Sequence, residues 1–322
     1  MPAPFARPGA LLAAAAFALA ATPALAAPEG WSKLLSPQEL AALLEADTDS
    51  EIRVLQVSGA AENGFIPGAV FAPYPEWRGP ADNPGAIPEI DQFHAILHRT
   101  GIEADTPVVV VHQGASQTDF GTAARVYWTL KSLGVEDLAI LNGGLNGWKA
   151  AGLGVEADEA GVFPSDWRPE LSDEWRVTSA ELAELIEAGE VANLVDARPP
   201  GFFEGLLWHD AAASPGTLPG SANLTYEVWF DGDSFVSPER AREIAIETGQ
   251  TDAPLTVSFC NTGHWAAINW FALSELAAVD NTRLYAESVV EWSQAGGEMM
   301  NQPSRLAFYW MQVRSWFQNL WA

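Results

Sequence analysis

Two rhythms of apolar and polar positions alternate along this chain. Short continuous apolar runs, such as the strings "RVLQV", "PVVVV", "LAIL", "NLVD" and "PLTVSF", are separated by longer stretches with helical spacing. The order of elements is the same in both halves. A helical segment and an apolar run open each half, "SPQELAALLEADTDSEIRVLQVSG" and "TSAELAELIEAGEVANLVDARP". Each half continues to a Gly-x-x-Pro-Gly turn, "GFIPGAV" and "GTLPGSANL", then to a helix, a Val-rich run and an aromatic-bearing helix. Each closes on an apolar run and a Trp-bearing helix, with Trp148 and Trp292, like Gly152 and Gly296, 144 positions apart.

Continuous apolar strands alternating with helices predict parallel sheets covered on both faces. The expectation is an α/β chain of two tandem domains, each a central parallel sheet of about five strands flanked by helices. The Pro-, Gly- and acid-rich stretch "GVEADEAGVFPSDWRPELSDEW" marks the join, which divides the chain into 27–166 and 167–302. Residues 1–26 carry Arg7, an apolar Ala/Leu stretch and Ala24-Leu25-Ala26, the pattern of a cleaved export signal. The expected location of the mature chain is therefore the periplasm or the exterior. In the tail, 303–322, Leu306, Tyr309, Val313, Phe317 and Leu320 share one helical stripe. That stripe predicts an aromatic C-terminal helix, packed on the second domain or turned to a protein partner or a membrane surface.

The formal charge of −26 becomes −27 without residues 1–26, whose one charged side chain is Arg7. Such a chain repels nucleic acid, so no nucleic-acid partner is expected. It also repels small anions at long range unless the site itself is locally positive. Cys260 is the single cysteine, so no intramolecular disulfide is available. A lone thiol is usually a buried, inert side chain. Its neighbours argue otherwise.

Cys260 is the first residue past the strand "PLTVSF", at the carboxyl end where α/β sheets place their ligands. Asn261-Thr262-Gly263-His264-Trp265 then turns the chain into the next helix, and Gly263 permits a backbone conformation that a side chain would obstruct. Successive N–H groups of such a turn form an anion cradle, reinforced by the following helix. A thiol there is expected to favour its nucleophilic thiolate. Cysteine phosphatases need an Arg six positions after the Cys, and that residue here is Ala266. Cysteine proteases need a separate His base, which fits a duplicated parallel-sheet unit poorly.

With "GFIPGA", "GTLPGS", "LVDARP", "ILNGGLNGWKAAG" and the cysteine loop in order, the chain resembles the two-domain rhodanese family of thiosulfate and 3-mercaptopyruvate sulfurtransferases. The resemblance implies two rhodanese-like domains, the first non-catalytic and the second catalytic. It implies that Cys260 takes a sulfane sulfur from a small anionic donor, thiosulfate ahead of 3-mercaptopyruvate, and passes it to cyanide or a thiol. The amides of Asn261, Thr262, Gly263, His264 and Trp265 would hold the persulfide, with neither metal nor organic cofactor. Asp196 and Arg198 match the family's Asp-x-Arg and would brace the loop. His112 stands where the first repeat would have its cysteine. The family's second Arg, four positions after Arg198, is Phe202 here. His264, protonated at mildly acidic pH, is the expected substitute cation, and Trp265 the expected wall of the mouth. The alternative to an enzyme is a sulfane-sulfur carrier with little turnover of its own.

Overall fold

The structure is a computed structural model that describes residues 27–46, 52–59, 61–189 and 193–304. The signal-like segment 1–26 and nearly all of the aromatic tail lie outside the described residues. The first domain runs through β1 (Leu34–Leu35), α1 (Pro37–Ala46), β2 (Arg53–Gln56), β3 (Val70–Phe71), α2 (Ile90–Thr100), β4 (Val108–Val111), α3 (Phe120–Leu133), β5 (Leu138–Leu141) and α4 (Gly144–Ala150). The second runs through α5 (Ser179–Ala188), β6 (Asn193–Asp196), α6 (Pro200–Phe203), β7 (Ala222–Asn223) and the hairpin strands β8 (Phe230–Asp231) and β9 (Ser234–Phe235). It continues with α7 (Pro238–Glu247), β10 (Thr256–Phe259), α8 (His264–Trp270), β11 (Thr282–Leu284) and α9 (Ser288–Gln294).

Both sheets are parallel, as continuous apolar strands require. The first has five strands in the order β1-β5-β4-β2-β3. The second has four, β11-β10-β6-β7, one fewer than expected. The missing outer strand is reduced to a single parallel bridge, Arg176 to Leu284. The 144-residue repeat holds at the level of atoms. The indole N–H groups of Trp148 and Trp292 each donate to a carbonyl six residues on, Gly154 and Glu298, both at 2.8 Å.

The two domains share one core. All of α3 except Lys131 is buried, so this helix is a central element and has no solvent face. It packs on α8 and its π-helical continuation Phe271–Leu276. Phe120 lies 4.3 Å, centroid to centroid, from Phe235 in a stacked pair, and Tyr127 meets Phe271 edge-on at 5.1 Å. Buried Glu275 completes the seam, with Lys33 at 2.8 Å, Lys131 at 3.1 Å and the Tyr127 hydroxyl at 2.9 Å. Burial would raise the pKa of Glu275, but the two lysines outweigh it and hold the carboxyl ionised. A rigid seam of this kind lets side chains of the first domain act at a site in the second. Among the described residues no helix is long and apolar enough to cross a membrane.

Candidate active site

Strand β10 ends at Phe259, and Cys260 follows at the carboxyl end of the sheet. The thiol side chain is 1 % exposed and lines a cavity of about 300 Å³. Tyr74, Arg78, Thr118 and Thr122 of the first domain complete that cavity with His209, Asn261, Thr262, His264 and Trp265 of the second. Cys260 is therefore buried against the core yet lines a chamber that polar side chains of both domains edge.

The turn that follows is held from three sides. Gly263 has φ +70°, and a Cβ there would lie 2.2 Å from both the Ala286 carbonyl oxygen and Arg125 Nη1. From behind, α9 donates Val289 N–H to the Cys260 carbonyl and Val290 N–H to that of Asn261, at 3.1 and 3.0 Å. The first repeat does the same with Leu145 and Asn146 on His112 and Gln113, which makes His112 the counterpart of Cys260. Ser288 Oγ accepts the N–H groups of Cys260 and Gly263, both at 3.1 Å, and donates to Tyr285 O at 2.8 Å. The Gly263 amide is thus committed to Ser288, unlike the expected cradle in which all five amides face the sulfur. The N–H groups of Asn261, Thr262, His264 and Trp265 take no acceptor among the described residues and remain available to an anion.

Below the turn, Asp196 and Arg198 form a buried pair. Arg198 Nε and Nη2 bind the two carboxylate oxygens at 2.8 and 2.6 Å. Its Nη1 donates to Asn261 Oδ1 at 3.1 Å, and Thr217 Oγ1 donates to Asp196 Oδ2 at 2.7 Å. This fork, fixed by a bidentate carboxylate, sets the orientation of Asn261 and so braces the loop.

His264 does not supply the positive charge expected of it. Its Nε2 faces the Thr118 carbonyl at 2.8 Å, an atom that can only accept, so Nε2 carries the proton. Nδ1 then accepts the Tyr74 hydroxyl at 2.8 Å. Burial, with the nearby Arg78 charge, lowers its pKa from 6.5 to about 4, and the ring is neutral near pH 7. Gly121 makes this contact possible, because a Cβ there would sit 2.7 Å from His264 Nε2. Trp265 walls the cavity as expected, stacked on Tyr226 at 5.1 Å and edge-on to Phe202 at 5.8 Å. Its indole donates to Thr118 Oγ1 at 2.6 Å.

The cations come from the first domain, and sequence reasoning missed them. Arg125 is fully buried on α3, with its guanidinium near the carbonyls of Gly85 (3.0 Å), Ala286 (3.4 Å) and Gly263 (3.5 Å). Burial depresses its pKa only to about 10, so it stays charged. No carboxylate among the described residues pairs with it. A buried cation with no carboxylate in contact favours an anion nearby, and the cysteine loop is among the segments it touches.

In the first domain the corresponding cradle is filled by its own chain. Asp119 accepts Gly114 N–H at 2.7 Å, Ala115 N–H at 3.2 Å and Ser58 Oγ–H at 2.9 Å, with His112 Nδ1 at 3.4 Å. Burial would raise the pKa of Asp119, but its contacts with His112, Ser58 and the Ala115 amide outweigh that and lower it to about 2. An internal carboxylate thus occupies the place of an external anion, and the loop it rigidifies carries Thr118 to the second domain. Among the described residues no group of three or more His, Cys, Asp or Glu side chains is placed to hold a metal ion.

Two matches to the Rhodanese-like domain model, over residues 36–151 and 178–295, cover most of the chain. A Pseudomonas aeruginosa protein, named provisionally a 3-mercaptopyruvate sulfurtransferase, is 31 % identical over 81 % of this chain and 95 % of its own. A Mycolicibacterium smegmatis protein, named provisionally a thiosulfate sulfurtransferase, is 27 % identical over 79 % of this chain and 92 % of its own. Among solved structures, the 3-mercaptopyruvate sulfotransferase SseA of Escherichia coli superposes with a TM-score of 0.68 at 22 % identity, covering 80 % of this chain and 98 % of that one. The anaerobic ergothioneine biosynthesis enzyme of Chlorobium limicola superposes at 0.73 with 20 % identity, over 85 % and 71 % of the two chains. The chain belongs to the rhodanese-like family and carries two copies of its domain. That fold is a sulfurtransferase fold, and sulfurtransferases move sulfur between small-molecule donors and acceptors.

Two predictions arise from the loop's supports. Ser288 has φ +57°, at the repeat position where the first domain has Gly144 with φ +58°. A serine held in that conformation is strained, and its hydroxyl is what the loop uses. Ser288→Ala strands two buried N–H groups and should cost about 2–4 kcal/mol, read by urea melts, with sulfur transfer reduced about tenfold. The second prediction concerns pH. With the folded pKa of His264 below its unfolded value, only the unfolded chain binds a proton between about pH 6.5 and 4, so falling pH removes stability there. His264→Gln keeps both hydrogen bonds and removes the titration. Its loss of stability between pH 7 and 4.5 should be smaller than the wild type's, and the pH profile of transfer near 6.5 should be the same in both proteins.

Proposed function

We propose that this protein is a sulfurtransferase that moves sulfane sulfur from an anionic donor, thiosulfate first, through a persulfide on Cys260 to a thiophilic acceptor. The Cys260 thiolate attacks the outer sulfur of thiosulfate. The donor's S–S bond breaks, its electron pair leaves with sulfite, and the new bond leaves Cys260 as Cys–S–S⁻. Cyanide or a thiol then attacks the outer sulfur and restores the thiolate. Atoms and charge balance at each step, so no oxidant enters.

The observation that carries this reading is the position of Cys260. It lines an open-sided chamber beside four amides that take no acceptor among the described residues, with the buried Arg125 guanidinium beneath the loop. The amides and the guanidinium are suited to stabilise the negative charge of the persulfide that the transfer step forms. The names of the Mycolicibacterium and Pseudomonas relatives support the same chemistry. Thiosulfate and cyanide supplied together test it, with thiocyanate forming in large excess over protein. Formation of about one equivalent and no more would instead identify a sulfur carrier.

The export pattern in residues 1–26 supports a mature protein that works in the periplasm or outside the cell. Inorganic sulfur anions are donors available there, which favours thiosulfate. The aromatic stripe in 303–322 fits a protein partner or a membrane surface, as its sequence suggests.

A further inference from the structure

Position 202 carries no charge, so the donor's anionic end needs another receptor. Phe202 packs its ring 5.9 Å from the Arg198 guanidinium and edge-on to Trp265, which makes it part of an apolar wall. Arg198 itself is 1 % exposed and its fork is spent on Asp196. The chain has 42 Asp and Glu against 16 Lys and Arg. Two arginines with no carboxylate in ion-pair contact among the described residues converge on this one loop.

Of these, Arg125 is buried behind the turn, but Arg78 lines the cavity with Cys260. Arg78 Nε donates to Pro84 O at 2.9 Å and Nη2 to Thr262 O at 2.8 Å, and the guanidinium lies over the Tyr74 ring at 5.2 Å. No carboxylate among the described residues pairs with it. Carbonyls fix the group in place without neutralising it, and they use only two of its five N–H donors. His209, in the same wall, accepts Ala211 N–H on Nδ1 at 3.2 Å, so its neutral ring presents Nε2–H as another donor.

Building on the sulfurtransferase reading, we infer that Arg78 of the first domain is the receptor for the anionic group of the sulfur donor and sets the enzyme's preference for small oxyanion donors. The donor's oxyanion end binds the guanidinium while its outer sulfur faces Cys260. The chamber, about 300 Å³, suits an anion of thiosulfate's size. Electrostatic attraction at the mouth also answers the −26 charge of the whole chain, which would otherwise repel the donor.

The test reads charge at Cys260 with and without turnover. Iodoacetate and iodoacetamide alkylate the same thiolate and differ in charge, so the ratio of their rates cancels the thiolate fraction. Arg78→Gln should lower the iodoacetate-to-iodoacetamide ratio about tenfold. It should also raise the KM for thiosulfate about 30-fold, with kcat changed far less. Arg78→Lys keeps the charge without the fork and should retain the ratio within about threefold. An unchanged ratio in Arg78→Gln overturns the inference. So does a fall in Arg78→Lys as large as in Arg78→Gln, because the role would then be support of Thr262 and Pro84. Alkylation needs no sulfur transfer, so a chain that transfers no sulfur but shows the charge effect refutes the transfer reading and leaves the receptor standing.

Discussion

Cys260→Ser is expected to fold as the wild type and to lose thiosulfate:cyanide transfer by at least about 10⁴-fold. The substitution removes one polarisable atom and leaves the loop's supports in place. Ser288 still accepts the N–H groups of residues 260 and 263, and Arg198 still orients Asn261. Stability should therefore change by less than about 1.5 kcal/mol, checked by urea melts. A hydroxyl at this position is neither ionised near pH 7 nor able to hold a sulfane sulfur. Among the described residues no other cysteine is present, and the whole sequence has only this one, so no neighbouring thiol can take over. Residual transfer within tenfold of the wild type would place the sulfur elsewhere and remove Cys260 from the mechanism.

Gly263→Ala should have the second-largest effect, on both stability and rate. At φ +70° an alanine pays for a left-handed backbone, and its Cβ would also stand 2.2 Å from Ala286 O and from Arg125 Nη1. Neither neighbour can retreat, since one is backbone and the other is buried among three carbonyls. The turn must move, at about 2–4 kcal/mol and with transfer reduced at least 100-fold, because the open amides move with it. Gly249→Ala supplies the control. Its φ is +69° and nothing lies within 4 Å of the added Cβ, so it should cost only about 1–2 kcal/mol and leave turnover intact. Equal losses in the two variants would show that backbone strain alone, and not the crowding against Arg125 and Ala286, explains the effect.

The two variants also show what the sequence makes legible. The cysteine loop, the demand for glycine at 263 and the Asp196–Arg198 brace are local, within a few residues of a strand end, and their chemistry follows from that position. The repeat was legible too, down to the bonds that Trp148 and Trp292 make. Contributions from the first domain to the second domain's site were not. Arg78 meets Thr262 across 184 positions, and Arg125 meets Gly263 across 138. Nothing in "YPEWRGP" or "AARVYW" announces a contact set by how two domains pack. Ser288 was within reach, since comparing the repeats places a serine where the first copy has Gly144. His264 misled for a physical reason. Its ordinary pKa suggests a switch, but Tyr74 and Thr118 bury it between two hydrogen bonds that need the neutral ring.

A division of labour follows between the two repeats. In the first, Asp119 fills the anion cradle from within, and that loop becomes a rigid strut whose Thr118 holds His264 and Trp265. In the second, four of the loop's amides take no acceptor among the described residues, and the first domain supplies the Arg78 and Arg125 guanidiniums beside the loop. One duplicated unit thus has its loop filled from within, and the other keeps a loop with free amides beside Cys260.

Intact-mass measurement of the protein after incubation with thiosulfate tests the central claim most directly. An added mass of about 32 Da, one sulfur atom, is expected, which disappears on adding cyanide and never forms in Cys260→Ser. A wild-type mass that stays unchanged while the thiol remains free to alkylation would contradict it.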